Sequence, residues 1–190
     1  MLQPPRILIA GIGNIFFGDD AFGCEVARRL IAKPWPDDVR VVDFGIRGLD
    51  LAYALVEGPE FTILIDAMPR GGAPGTLYVV QPDIHLEIGA TPDLLDAHTM
   101  EPVKVLRLAS SLGGKVDNVI LVCCEPTPFD LDADIQPDLS DPVRVAVDRA
   151  VGLVEVIVAN FVTADHHDIS HMISSAVACI SDSLQMQLKE

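Results

Sequence analysis

The sequence predicts an α/β fold, a three-layer sandwich in which a twisted, mixed and mostly parallel sheet of about five strands is flanked by helices. Three observations predict it. Apolar, β-branched runs alternate along the chain with stretches of helical period. Several of those runs are apolar at nearly every position, as expected of strands buried on both faces. Finally, 49% of the 190 residues are hydrophobic, enough for the core of one domain and too short a chain for two large ones.

The elements follow in order. Arg6–Gly11 is the first strand, and Asp20–Lys33 the first helix, with Phe22, Val26, Ala27 and Leu30 on one face. Val39–Phe44 reads as a strand and Leu49–Glu57 as a helix. Phe61–Ala67 is the third strand. Thr76–Gln81 follows it after only the loop PRGGAPG, too short for a crossover helix, so these two are expected to form an antiparallel pair. Pro102–Leu112 reads as a helix and Asn118–Cys124 as the fifth strand. The last helix, Asp141–Val162, opens on Ser140-Asp141-Pro142, a capping residue with proline in the first turn. Its apolar stripe runs through Val143, Ala146, Val147, Ala150, Val154, Ile157 and Val158. Residues 1–163 are thus expected to form the α/β domain. Residues 164–190 form a tail in which Ile169, Met172, Ile173, Ala176, Val177 and Ile180 make the stripe of an amphipathic helix.

Charge narrows the partners. Lys and Arg number 13 against 28 Asp and Glu, a formal net charge of −15, which disfavours nucleic acid and anionic lipid surfaces. The longest stretch without Asp, Glu, Lys or Arg is Ile169–Ser181, shorter than the ~18 apolar residues of a membrane span. Arg6 before an apolar run superficially suggests a signal peptide, but the run ends at glycines and at Asp19-Asp20 without a small-residue cleavage site. The reading is a cytoplasmic protein. Cys24, Cys123, Cys124 and Cys179 form no CxxC pair and read as thiols of a reducing compartment. Glu125–Asp141 holds six acids, no bases and three prolines, and reads as an exposed loop.

The motif Gly11-x-Gly13 after a strand invites a dinucleotide reading. Against it, the third glycine position holds Phe16, Asp19 and Asp20 stand where a phosphate would sit, and Asp43 follows Gly13 by about 30 residues, not the ~20 of the fingerprint. Asp19 and Asp20 also suit capping of the first helix, a role that explains one aspartate well and the second less well. Asp66 ends an apolar strand and begins a Gly/Pro-rich loop, as a turn former or a ligand. His98 precedes the third helix, as a surface residue, a local cap or a ligand. Together, two strand-end carboxylates and an imidazole make a three-ligand set with open positions, suited to a borderline divalent metal. His167 and His171 in the tail have an i, i+4 spacing that can bind metal, or they open a polar helix start.

The segments GIGNIFFGDDAFG, VVDFGIRGLDLAYAL, ILIDAMPRGGAPGTLYVV, DAHTMEPVKVLRLA and VCCEP together resemble the hydrogenase maturation proteases, from about Ile7 to Val162 in collinear order. The resemblance implies a twisted mixed sheet between helices, and an endopeptidase that trims the C-terminus of a [NiFe]-hydrogenase large subunit. It implies Asp20, Asp66 and His98 as metal-binding and catalytic residues, with Asp20 where the family often has Glu and Thr99 where it commonly has Gly. The nickel is implied to arrive with the precursor, as a recognition tag, with no resident organic cofactor. The expected partner is the large-subunit precursor, met by a monomer. A binding or escort module that senses nickel without cleaving is the alternative. Asp43 and Arg47, in DFGIRG, and Glu125, in CCEP, lie at the same rim as candidates for substrate docking, or as local turn and cap residues.

Overall fold

Six consecutive buried residues, Ile7–Ile12, form β1, and the rest of the sheet is arranged around it. The computed structural model describes residues 5–82, 102–128 and 138–163. After β1 comes a single 3₁₀ turn, Gly18–Ala21, and then α1 (Phe22–Ile31), β2 (Val39–Gly45), α2 (Gly48–Val56), β3 (Phe61–Ala67), β4 (Leu77–Val80), α3 (Pro102–Ser111), β5 (Val119–Cys124) and α4 (Asp141–Thr163). The tail from residue 164 lies outside the described residues. No helix among the described residues is long and apolar enough to cross a membrane.

The sheet order is β2-β1-β3-β5-β4. The first four strands pair in parallel and β4 runs antiparallel along β5. This corrects one expectation. The short loop after β3 does make β4 run the other way, but β4 lies beside β5, not beside β3. The physical reason is burial. All six residues of β5 are buried, so it takes the interior slot, whereas only Leu77 of β4 is fully buried and that strand suits the edge. Two strand spacings, about 10 Å, are well within reach of the connecting loop.

Alternation along the strands builds two cores. Ile7, Ile9, Ile63, Ile65, Ile120 and Val122 face α1 and α4, meeting Phe22, Val26 and Leu30 on one and Val143, Val147 and Val154 on the other. Leu8, Ala10, Leu64 and Leu121 face α2 and α3, against Leu51, Leu55, Val105 and Leu106. The result is the three-layer sandwich predicted.

Two glycines let α1 lie unusually close to the sheet. A Cβ at Gly23 would fall 2.1 Å from the Ile65 carbonyl oxygen and 2.2 Å from that of Ile12. One at Gly11 would meet the Gly23 carbonyl at 2.3 Å. These glycines serve helix–strand packing, and the start of α1 is thereby held over the ends of β1 and β3.

Candidate active site

In this strand order β2 lies on one side of β1 and β3 on the other, so the connections leaving β1 and β3 diverge. That divergence opens a crevice beyond the carboxyl ends of the strands, where open α/β sheets bind ligands. Asp20 follows β1, Asp43 lies near the end of β2 and Asp66 near the end of β3. The structure therefore brings all three strand-end acids to one rim.

Asp20 is half-buried and its Oδ2 accepts a hydrogen bond from the Asn14 amide at 2.7 Å. Asn14 Oδ1 in turn accepts the Phe16 amide at 3.1 Å, which folds the loop back. Burial raises the Asp20 pKa and the Asn14 amide offsets part of that rise. Asp66 is only 6% exposed. Its Oδ1 accepts the Ala67 amide at 2.9 Å. Burial first, and the neighbouring Asp20 charge second, push its pKa well above the usual carboxylate range. Neither residue has an ion-pair partner among the described residues.

A register shift in the β1–β2 pairing, where Gly11 faces Asp43 and Ile12 faces Gly45, leaves Phe44 as an extra residue and re-aims the end of β2. Asp43 is half-buried beside it, and its Oδ1 is buried with no N–H or O–H donor among the described residues. Cys24 lies against this group. Its thiol donates to the Gly13 carbonyl at 3.4 Å, and burial, then Asp43, Asp20 and Asp66, push its pKa up to about 12. It is an inert thiol whose charged form three carboxylates disfavour, not a nucleophile.

The other two docking candidates are tied into the fold. Arg47 is exposed, but its guanidinium donates to the Phe44 carbonyl at 3.0 Å and to that of Asp43, and stands 3.7 Å from Asp50. Glu125 is 5% exposed and accepts the amides of Arg70 at 2.8 Å and Gly71 at 3.0 Å and the Tyr78 hydroxyl at 2.9 Å. Burial alone would raise its pKa, yet these donors together hold it below the usual value. It anchors the β3–β4 loop. His98, the third residue of the expected set, lies outside the described residues, as do His167 and His171. Among the described residues no three His, Cys, Asp or Glu side chains stand close enough to hold a metal ion.

Capping by a side-chain hydrogen bond, one alternative for Asp19-Asp20, is not what the structure shows, although both acids stand in the 3₁₀ turn that precedes α1. Neither the 3₁₀ turn nor α1 has a side-chain cap hydrogen bond. Asp19 is buried and accepts four bonds from far along the chain, from the Thr127 amide and hydroxyl at 2.8 and 2.6 Å and the Ser140 amide and hydroxyl at 2.7 and 2.9 Å. Burial pushes its pKa up, and these bonds outweigh it and bring it below the ordinary value. The dinucleotide reading also meets an obstacle at Gly13. Its φ is +134°, and a Cβ there would lie 1.8 Å from the Asp20 carbonyl oxygen, so that side of the glycine is filled by the chain itself.

A family model described as hydrogenase maturation protease matches residues 24–157. The chain belongs to the hydrogenase maturation protease family. It is 36% identical over 158 residues to a putative hydrogenase maturation protease of Methanocaldococcus jannaschii, a match covering 80% of this chain and 96% of that one. Among solved structures, it is similar to a hydrogenase 2 maturation peptidase of Thaumarchaeota archaeon SCGC_AB-539-E09, with 28% identity, a TM-score of 0.61, and coverage of 81% and 98%. The hydrogenase maturating endopeptidase HybD of E. coli shares the fold, with a TM-score of 0.62 at 24% identity, over 82% and 91% of the two chains. As a hydrogenase maturation protease the chain is an endopeptidase. The matched residues include Asp43, Asp66, His98 and Glu125, while Asp20 precedes them.

Proposed function

We propose that this hydrogenase maturation protease removes the C-terminal extension of a [NiFe]-hydrogenase large-subunit precursor after nickel has been inserted. The observation that supports this best is the Asp20–Asp66 pair. Two carboxyls stand at one strand-end rim, both raised by burial and Asp66 further by the charge of Asp20, with no cationic partner among the described residues. Such a pair gains most from a divalent cation delivered into the crevice, because the cation stabilises the charged form of both.

Asp20 and Asp66 offer hard oxygen donors and His98 a borderline nitrogen donor, a set that suits a first-row metal with positions left for its carrier. Nickel already seated in the precursor is then the substrate feature that is read. Binding energy depends on its presence, so an empty precursor is rejected. The metal supplies polarisation of the scissile carbonyl or of a water, and one carboxylate of the pair accepts the proton. Asp20 reaches one methylene less far than the Glu common in the family, and the Asn14 amide fixes its orientation.

Replacing Asp20, Asp66 or His98 singly by Ala is expected to abolish release of the C-terminal peptide from nickel-loaded precursor. Processing that survives any one change removes that residue from the site.

A further inference from the structure

Two arginines follow the strand ends at this rim, Arg47 after β2 and Arg70 after β3, and they differ in what they are free to do. Arg47 is committed to the Asp43 and Phe44 carbonyls and to Asp50. Arg70 is exposed and makes no ion pair with a described residue. Its guanidinium stands over the Tyr78 ring, 5.5 Å from the centroid.

That placement is built. Glu125 Oε2 accepts both the Arg70 amide and the Tyr78 hydroxyl, and Oε1 accepts the Gly71 amide. One buried carboxylate thus fixes the backbone that carries the guanidinium and the ring beneath it. Gly72 permits the fit, since a Cβ there would lie 2.0 Å from the Tyr78 hydroxyl oxygen. Across the sheet Asp66 pairs with Cys123, and Cys123 with Tyr78. The three lie in one row and project from the same face, so Tyr78 stands two strand spacings, about 10 Å, from Asp66. Asp66 and Arg70 both act electrostatically on Cys123, in opposite directions.

We propose that Arg70 is a specificity-determining residue that takes a carboxylate of the precursor chain, with Tyr78 and Glu125 as its positioning residues. This rests on the function proposed above. The planar guanidinium matches a carboxylate through paired N–H donors. Stacking on Tyr78 holds it ready at little entropic cost on binding. The protein is otherwise strongly acidic, with a net charge of −15, and the crevice is lined by Asp20, Asp43 and Asp66. A precursor carboxylate is therefore repelled from every register but the one that sets it on Arg70, which fixes the peptide relative to Asp66. Its source is an acidic side chain near the cut or the C-terminal carboxylate of the extension.

The test uses the full chain and nickel-loaded precursor, with binding and cleavage measured separately. Arg70→Ala is expected to raise Kd and KM about tenfold and leave kcat within about twofold, with Arg70→Lys recovering part of the loss. Lys115→Ala, an exposed residue just before β5, changes neither. Tyr78→Phe and Glu125→Gln raise KM in the wild-type background and add nothing to Arg70→Ala, a coupling that a merely structural role does not produce. Precursors with each nearby acid changed to its amide, or with an amidated C-terminus, identify the source as the one whose effect vanishes in Arg70→Ala. Unchanged Kd in Arg70→Ala overturns the proposal, as does equal loss with every precursor variant. Tight binding without cleavage by the wild type defeats the endopeptidase reading instead, and the Kd comparison still decides the role of Arg70.

Discussion

Asp19 and Asp20 are adjacent in the chain, yet the Asp19 carboxylate accepts four hydrogen bonds from Thr127 and Ser140, whereas Asp20 accepts the Asn14 amide. The four donors hold Asp19 ionised, while burial makes ionising Asp20 harder. One residue ties together both ends of the segment between β5 and α4, and its neighbour is the one proposed above to meet the metal.

Removing the Asp19 clamp is expected to cost stability. Asp19→Ala leaves two amides and two hydroxyls without their acceptor, and a lost network of this kind costs about 2–4 kcal/mol. Urea unfolding should show a lower midpoint at unchanged slope. A loss below about 0.5 kcal/mol would mean that water replaces the carboxylate without penalty.

Asp66 predicts the opposite sign. Its folded pKa lies above its unfolded value of about 3.9, so the folded state binds the proton more tightly. Stability from this group is full below pH ~4 and declines as pH rises through the folded pKa. Asp66→Asn keeps the oxygen that accepts the Ala67 amide and has no such slope. Without nickel, the variant is expected to melt about 2–5 °C higher than wild type at pH 7 and at about the same temperature at pH 3.5, while losing activity. Equal melting at both pH values would contradict the assigned shift.

The close seating of α1 gives a pair of opposed glycine substitutions. Gly23→Ala drives a Cβ into two backbone carbonyls that cannot move without displacing β1 or β3, and is expected to destabilise by more than about 4 kcal/mol. Gly152→Ala in α4 has open space around its Cβ, and should stabilise by up to ~1 kcal/mol through helix propensity. Thermal melting of the two variants beside wild type checks both signs.

The described cysteines are expected to be unreactive. Cys24, Cys123 and Cys124 are buried, and burial is the leading cause that pushes each pKa up to about 12. Iodoacetamide at pH 8 followed by peptide mapping should leave all three unmodified in the folded protein and modify them in urea. Rapid labelling of Cys24 in the folded state would show that the acid cluster is open to reagents.

The strands and helices were legible because their patterns are local. Continuous apolar runs announced β1, β3 and β5, and the i, i+4 stripes announced the helices. The rim position of Asp20, Asp43 and Asp66 followed from where those runs end. What escaped were relationships between distant residues. Nothing near Asp19 in the chain signals that Thr127 and Ser140 are its donors, so capping was the natural expectation for an acid before a helix. The neighbour of β4 was missed because loop length sets strand direction, whereas the slot is set by competition for burial with β5, some 40 residues later. Tyr78 was hidden in an edge strand. Only the pairing of Asp66 with Cys123 and of Cys123 with Tyr78 places it in the row of Asp66, with the Arg70 guanidinium over its ring.

The central claim is that the strand-end acids read nickel carried by the precursor. Purified protein is incubated with nickel-loaded and with nickel-free large-subunit precursor, and the mass of the precursor is followed. The account predicts loss of a C-terminal peptide from the loaded form alone. Equal cleavage of both forms would contradict the nickel tag, and cleavage of neither would contradict processing of this precursor.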